Sequence, residues 1–138
     1  MRRTGAKGNG GKVMSKRIVI CGSMKFKESI FRVSEELQQK GYEVLIPEEA
    51  IRDMKKEEAS KLHFNKVADD KTDAIIAINE NKKDITNYIG PNTFAEIGLA
   101  FYKDKKIYLL NDIYEPYRDE LEGWNAICLN GDLNKIEL

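Results

Sequence analysis

The chain has little of what several common functions require. Its single histidine, His63, and its two cysteines, Cys21 and Cys128, are scattered through 138 residues. That spacing is not a zinc site's, and no CxxC pair marks a redox centre. Neither a protein-bound metal nor another cofactor is expected. Both cysteines sit in apolar, strand-like stretches and read as reduced core residues of a cytosolic protein. Neither sign of charge prevails: 23 basic residues cancel 23 acidic ones. A dedicated nucleic-acid binder would carry a basic excess on one face. No apolar run is long enough to cross a bilayer. Residues 1–16 are rich in Gly, Lys and Arg and lack the apolar segment of a secretion signal. A cytoplasmic protein without nucleic-acid or membrane partners is expected. No internal repeat is present, and the length suits one domain with a respectable core.

Residues 1–13 have the composition of a flexible basic tail, ahead of a domain over residues 14–138. Arg17 to Cys21 reads as a first strand. Gly22-Ser23-Met24-Lys25 turns the chain into a helix whose apolar stripe is Ile30, Val33 and Leu37, and Gly41 ends it. Such a turn can offer N–H groups and a hydroxyl to a phosphate, with Lys25 and Lys27 adding charge; equally, Ser23 can simply cap the helix. Residues 42–46 form a second strand closed by Pro47. The charged stretch 48–60 reads as a mobile, solvated helix or loop, where α/β enzymes often carry a lid.

A helix is expected over residues 60–71, with Leu62, Phe64, Val67 and Ala68 facing the core and His63 and Asn65 among them. A third strand over residues 73–78 contains Ala74-Ile75-Ile76-Ala77-Ile78, a continuous apolar run of the kind buried on both faces of a parallel sheet. A polar loop over residues 79–91 and a helix over residues 92–103 follow. A fourth strand (106–110), a short helix (116–122) and a fifth strand (126–129) complete the pattern. Alternating strands and helices imply right-handed parallel crossovers. The expected architecture is α/β, a single-domain flavodoxin-like or Rossmann-like three-layer sandwich. Its five-stranded parallel sheet has the order 2-1-3-4-5, and a crevice opens between strands one and three.

Residues 91–100, Pro-Asn-Thr-Phe-Ala-Glu-Ile-Gly-Leu-Ala, focus the functional reading. They put Glu96 in the first turn of a helix, beyond the carboxyl end of a buried strand, where ligands of open α/β sheets bind. Thr93-x-x-Glu96 also matches a capping box, in which the Glu side chain bonds the cap residue's own N–H. The two roles are compatible. A carboxylate held at a helix start is kept ionised by the dipole, which suits a nucleophile better than a general acid.

Cys21-Gly22-Ser23, Asp73 before the third strand, and Glu96-Ile97-Gly98-Leu99-Ala100 followed by Lys105-Lys106-Ile107-Tyr108 together resemble the nucleoside 2-deoxyribosyltransferase superfamily, which includes 2′-deoxynucleoside 5′-phosphate N-hydrolases. The resemblance covers residues 17–111. It implies that Glu96 is the nucleophile attacking the anomeric carbon of a nucleoside or nucleotide, with Asp73 and His63 as further catalytic candidates. It implies that Cys21, Gly22, Ser23, Met24 and Lys25 line the sugar or 5′-phosphate end. Asn65, Tyr88, Gly90, Asn92 and Thr93 complete the expected substrate contacts. Two positions depart from the family pattern. Eight residues before Asp73, where an aspartate would handle the proton on the base, stands Asn65; six residues before Glu96, where Asp or Ser is usual, stands Gly90. Two functions compete: cleavage or transfer at the N-glycosidic bond, and a nucleotide-sensing module that has lost turnover. A flavodoxin-like protein holding another phosphorylated cofactor is a third. The resemblance also implies a homo-oligomer, a dimer or higher. Tyr114, Tyr117 and Trp124 suit an interface, and equally suit packing over the chain's own sheet.

Overall fold

The computed structural model describes residues 15–138; the expected tail over residues 1–13 lies outside them. Strands β1 (Arg17–Cys21), β2 (Glu43–Leu45), β3 (Ala74–Ala77), β4 (Lys106–Leu109) and β5 (Ile127–Cys128) alternate with helices α1 (Lys27–Gln39), α2 (Lys56–Ala68), α3 (Pro91–Tyr102) and α4 (Arg118–Gly123). All strand pairs are parallel and the order is β2-β1-β3-β4-β5, as expected from the sequence. The central strands β1 and β3 lie in register, with Ile18 beside Ala74 and Cys21 beside Ala77.

Successive side chains of a strand point to opposite faces, and the two sides of the core divide accordingly. Ile18, Ile20 and Ile76 pack with Ile30, Val33 and Leu37 of α1 on one face. Val19, Cys21, Ile75 and Ala77 pack with Val67 of α2, Ile97 and Ala100 of α3, and Leu121 of α4 on the other. This double burial explains the unbroken apolar run of β3. Gly41, at φ +97°, takes the left-handed conformation that ends α1.

Two details of β2 to α2 differ from expectation. The segment after β2 is tied down: Glu48–Ala50 form a 3₁₀ turn. The Lys66 ammonium donates to the Ile46 carbonyl at 2.7 Å and to Glu48 at 3.2 Å. Helix α2 then begins at Lys56, and its buried face is Ala59, His63 and Val67. Leu62, Phe64 and Ala68 are only half-buried. The spacing i, i+4, i+8 selects one stripe of the helix, and that stripe carries the histidine inward.

At the carboxyl end of the sheet the fully buried Asn79 joins β3 to β4. Its amide donates to the Asp112 carbonyl at 2.6 Å and its Oδ1 accepts from the Asn111 N–H at 2.9 Å. These bonds hold the strand ends from which the neighbouring loops depart. No helix among the described residues is long and apolar enough to cross a membrane.

Candidate functional site

A cleft of about 380 Å³ opens beyond the carboxyl ends of β1, β2 and β3, where the strand order reverses and such sheets bind ligands. The loop after β1 contributes Gly22, Ser23, Met24 and Lys25. Pro47 and Glu49 come from the turn after β2, and Lys56, Ala59, Ser60 and His63 from α2. The loop after β3 and the start of α3 add Tyr88, Gly90, Pro91, Asn92, Thr93 and Glu96.

Each local conformation has a physical cause. Gly22 lacks a side chain where a Cβ would meet Ile78 at 3.1 Å. Ser23 does cap: its Oγ accepts the Lys25 N–H at 3.1 Å and opens the turn Met24–Phe26. A Cβ on Gly90 would meet the Tyr88 hydroxyl at 3.2 Å, so the glycine leaves room for that ring beside α3. Tyr88 is held edge-on against Tyr114, with centroids 5.8 Å apart.

The expected capping box does not form. Gly90 is the N-cap of α3 and Pro91 its first residue, and no side chain caps it. Proline's preset φ and missing N–H suit that first position. The helix therefore starts one residue early, and Glu96 falls in its second turn, away from the free N–H groups. There Glu96 is 7 % exposed. Burial pushes its pKa up to about 8; the charge of Glu49 adds to the rise, while a hydrogen bond from the Cys21 thiol and the charge of Lys56 oppose it. The carboxyl group is mostly protonated at neutral pH, contrary to the expectation of a dipole-ionised group. Desolvation outweighs a dipole effect of about 0.3–1 kcal/mol.

Cys21 and His63 lie against Glu96. Cys21 is fully buried beneath the cleft, and burial, then Glu96, hold its thiol pKa well above the ordinary value. His63 is 3 % exposed. Burial, then the charge of Lys66, lowers its pKa to about 4, so the ring is neutral. The Ile20 backbone offsets part of that shift, but neither ring nitrogen has a partner of hydrogen-bonding geometry. The thiol sulfur, a ring nitrogen and a carboxylate oxygen of these three residues lie within 4.8 Å of one another. Residues scattered in sequence are thus assembled into a set of donors able to hold a metal ion.

Two expected site residues lie elsewhere. Asp73 precedes β3 and so sits at the amino end of the sheet, opposite the cleft. Its carboxylate accepts the Arg17 N–H at 2.8 Å, and it borders a separate depression with Lys16 and Lys106. Asn65 is exposed on the outside of α2, with Lys61 and Leu62. Two residues past the inward His63 is about 200° around a helix, which directs Asn65 away. Conversely, Glu49, Lys56 and Ser60 line the cleft from a stretch expected to be a solvated lid. The signal for Glu49 was available: it lies four residues past β2, beyond that strand's carboxyl end.

The aromatic set serves the chain's own packing. Phe94 stacks on Tyr117 at 4.2 Å and on Trp124 at 5.5 Å, while Tyr114 meets Tyr117 edge-on. These rings cover the α3 and α4 side of the core.

No protein-family model matches this chain, and no curated protein does. Among solved structures, it is similar to that of Clostridium botulinum CMP N-glycosidase, BcmB, with a TM-score of 0.57 and 24% sequence identity. The likeness spans 83% of this chain and 90% of that one. At that identity it establishes a shared fold.

Proposed function

We propose that the chain hydrolyses the N-glycosidic bond of a nucleoside 5′-monophosphate, with Glu96 as nucleophile. The observation that carries this reading is a buried carboxyl group facing a nucleotide-sized cleft at the carboxyl end of a parallel sheet. The resemblance of residues 96–100 to the transferase superfamily, and the fold shared with an N-glycosidase acting on CMP, support it. Lys25 and Lys56 at the cleft are suited to the phosphate. Ser23 uses its oxygen as a cap, leaving its O–H to donate to a phosphate oxygen.

In the first step ionised Glu96 attacks C1′ as the C1′–N bond breaks through an oxocarbenium-like transition state, and the departing base takes up a proton. Water then cleaves the glycosyl ester, releasing the sugar phosphate and regenerating Glu96. The departing base takes its proton from water, and Glu49, the other carboxylate lining the cleft, is the candidate base that activates water in the second step. Glu49→Gln is expected to lower kcat by about 10²-fold. Its kcat/KM, set by the first step, should stay near wild type while a glycosyl ester on Glu96 accumulates, visible by mass spectrometry; a kcat/KM lowered as much as kcat would remove Glu49 from this role.

Asp73 serves the sheet in this reading. Asp73→Ala is expected to lower the free energy of unfolding in urea by about 1–2 kcal/mol, the cost of an unpartnered Arg17 N–H. Turnover per folded molecule should be unchanged; a tenfold drop with stability intact would return Asp73 to catalysis. The same reading carries a homo-oligomer, with Phe101 and Tyr102 exposed at the end of α3, which light scattering of the purified protein tests.

A nucleotide sensor without turnover is the second reading, favoured by the protonated Glu96. The deciding experiment incubates the protein with ribo- and deoxyribonucleoside 5′-monophosphates and the matching nucleosides, with and without a second base, and follows free base by chromatography. Base released from monophosphates supports hydrolysis. A new nucleotide formed only with the second base indicates transfer. Thermal stabilisation by a nucleotide without either product selects the sensor.

A further inference from the structure

We propose that Cys21, His63 and Glu96 bind a thiophilic divalent cation, zinc by its chemistry, at the floor of the cleft. Their donor atoms lie within 4.8 Å of one another. They reach that point from the end of β1, from α2 and from α3, so no short motif announces the site.

His63 supplies a second, independent observation. Its side chain is almost wholly enclosed, with 3 % of the residue exposed, and both ring nitrogens lack a partner. Buried polar atoms are almost always satisfied in native proteins, and one left unpaired costs about 1–3 kcal/mol. An ion among the three residues would satisfy one nitrogen.

The donor set discriminates among cations. Thiolate sulfur, imidazole nitrogen and carboxylate oxygen are each zinc ligands, at about 2.3, 2.0–2.1 and 2.0–2.2 Å. Calcium and magnesium prefer oxygen shells. A tetrahedral shell with those bonds sets donors about 3.5 Å apart, so donors as far as 4.8 Å apart draw together by about 1 Å as the ion binds. Three protein donors leave a fourth position directed at the cleft, open to water or substrate. Binding sends the Cys21 thiol proton, and any proton on Glu96, to solvent, with no change of oxidation state.

The consequence for activity rests on the proposed glycosidase reading: a coordinated Glu96 is no longer free to attack C1′, so the ion inhibits. The ligand test does not depend on that reading. Cobalt(II) is titrated into reduced, chelator-stripped, full-length protein and followed by absorption. One equivalent should produce a near-ultraviolet thiolate-to-cobalt band and visible bands of tetrahedral cobalt, both removed by one equivalent of zinc. Cys21→Ser and His63→Ala should each abolish the thiolate band, and Cys128→Ser should retain it; circular dichroism verifies that each variant is folded. Absence of the thiolate band in the wild type, its survival in folded Cys21→Ser or His63→Ala, or its loss in Cys128→Ser alone would overturn the site. In a parallel arm, base release should fall at least tenfold as one equivalent of zinc binds. Unchanged release with zinc bound overturns the inhibitory role, whereas no release from stripped protein, with cobalt bound as described, counts against the glycosidase reading alone.

Discussion

Glu96→Gln is expected to lower base release by at least about 10³-fold, on the scale of removing a covalent nucleophile. Glutamine matches glutamate in size, so the packing against Cys21 and His63 is kept while the attacking oxygen anion is lost. Nucleotide affinity by calorimetry should remain within a few-fold of wild type, because the carboxyl group replaced is itself mostly uncharged at neutral pH. A binding constant unchanged alongside a collapsed rate identifies Glu96 as the nucleophile. Base release that persists in the variant would move the chemistry to another group, with Glu49 the next carboxylate on the cleft. Glu96→Ala is less informative, since it also opens a cavity beside two buried side chains.

The pH dependence carries the second large effect. Attack requires the carboxylate, and the pKa of Glu96 in the free protein is about 8. Below that value the ionised fraction falls tenfold per pH unit. kcat/KM, which reports free-enzyme ionisations, should therefore rise about tenfold per unit from pH 5 to 7 and level off above 8. A profile already flat at pH 6 would mean that Glu96 ionises normally or is not the nucleophile.

Stability should run the opposite way. The folded pKa of Glu96 is raised above its ordinary 4.5, so its contribution is complete below about pH 4.5 and is lost as pH climbs through 8. His63 is shifted downward, from 6.5 to about 4, and its contribution is present above 6.5 and lost as pH falls through 4. In chelator-containing buffer, the melting temperature of the wild type should decline between pH 5 and 8 relative to Glu96→Gln; as pH falls from 6.5 to 4.5 the variant should decline while the wild type holds level, because its Glu96 gain offsets the His63 loss. Parallel curves for the two proteins across pH 5–8 would show that Glu96 is not held protonated. The reading of the cleft thus makes the alkaline side, where the protein is most active, the side where its core carries a buried charge.

The sheet and its order were legible because local signals sufficed. The apolar run over residues 74–78, the i, i+3, i+7 stripe of α1 and the strand-helix alternation specify burial and period. The handedness of parallel crossovers then leaves few topologies. The position of Glu96 at the carboxyl end of a buried strand followed from the same pattern, as did Gly22, Ser23 and Tyr88 facing one crevice.

What required the tertiary structure was every property set by distance between remote segments. Glu96 was readable as a carboxylate near a helix start. Its protonation was not, since the desolvation that raises its pKa comes from packing against β1 and α2. Helix α2 was readable as a helix, but its phase against the sheet, which turns His63 inward and Asn65 outward, was set by the contact with α3 and the turn after β2. Cys21, His63 and Glu96 are separated by 42 and 33 residues in the chain, yet their donor atoms converge within 4.8 Å. A sequence encodes each segment's preference for helix, strand and burial in its own periodicity. Proximity between segments, and the dielectric surroundings that decide a proton's place, arise only once those segments are packed.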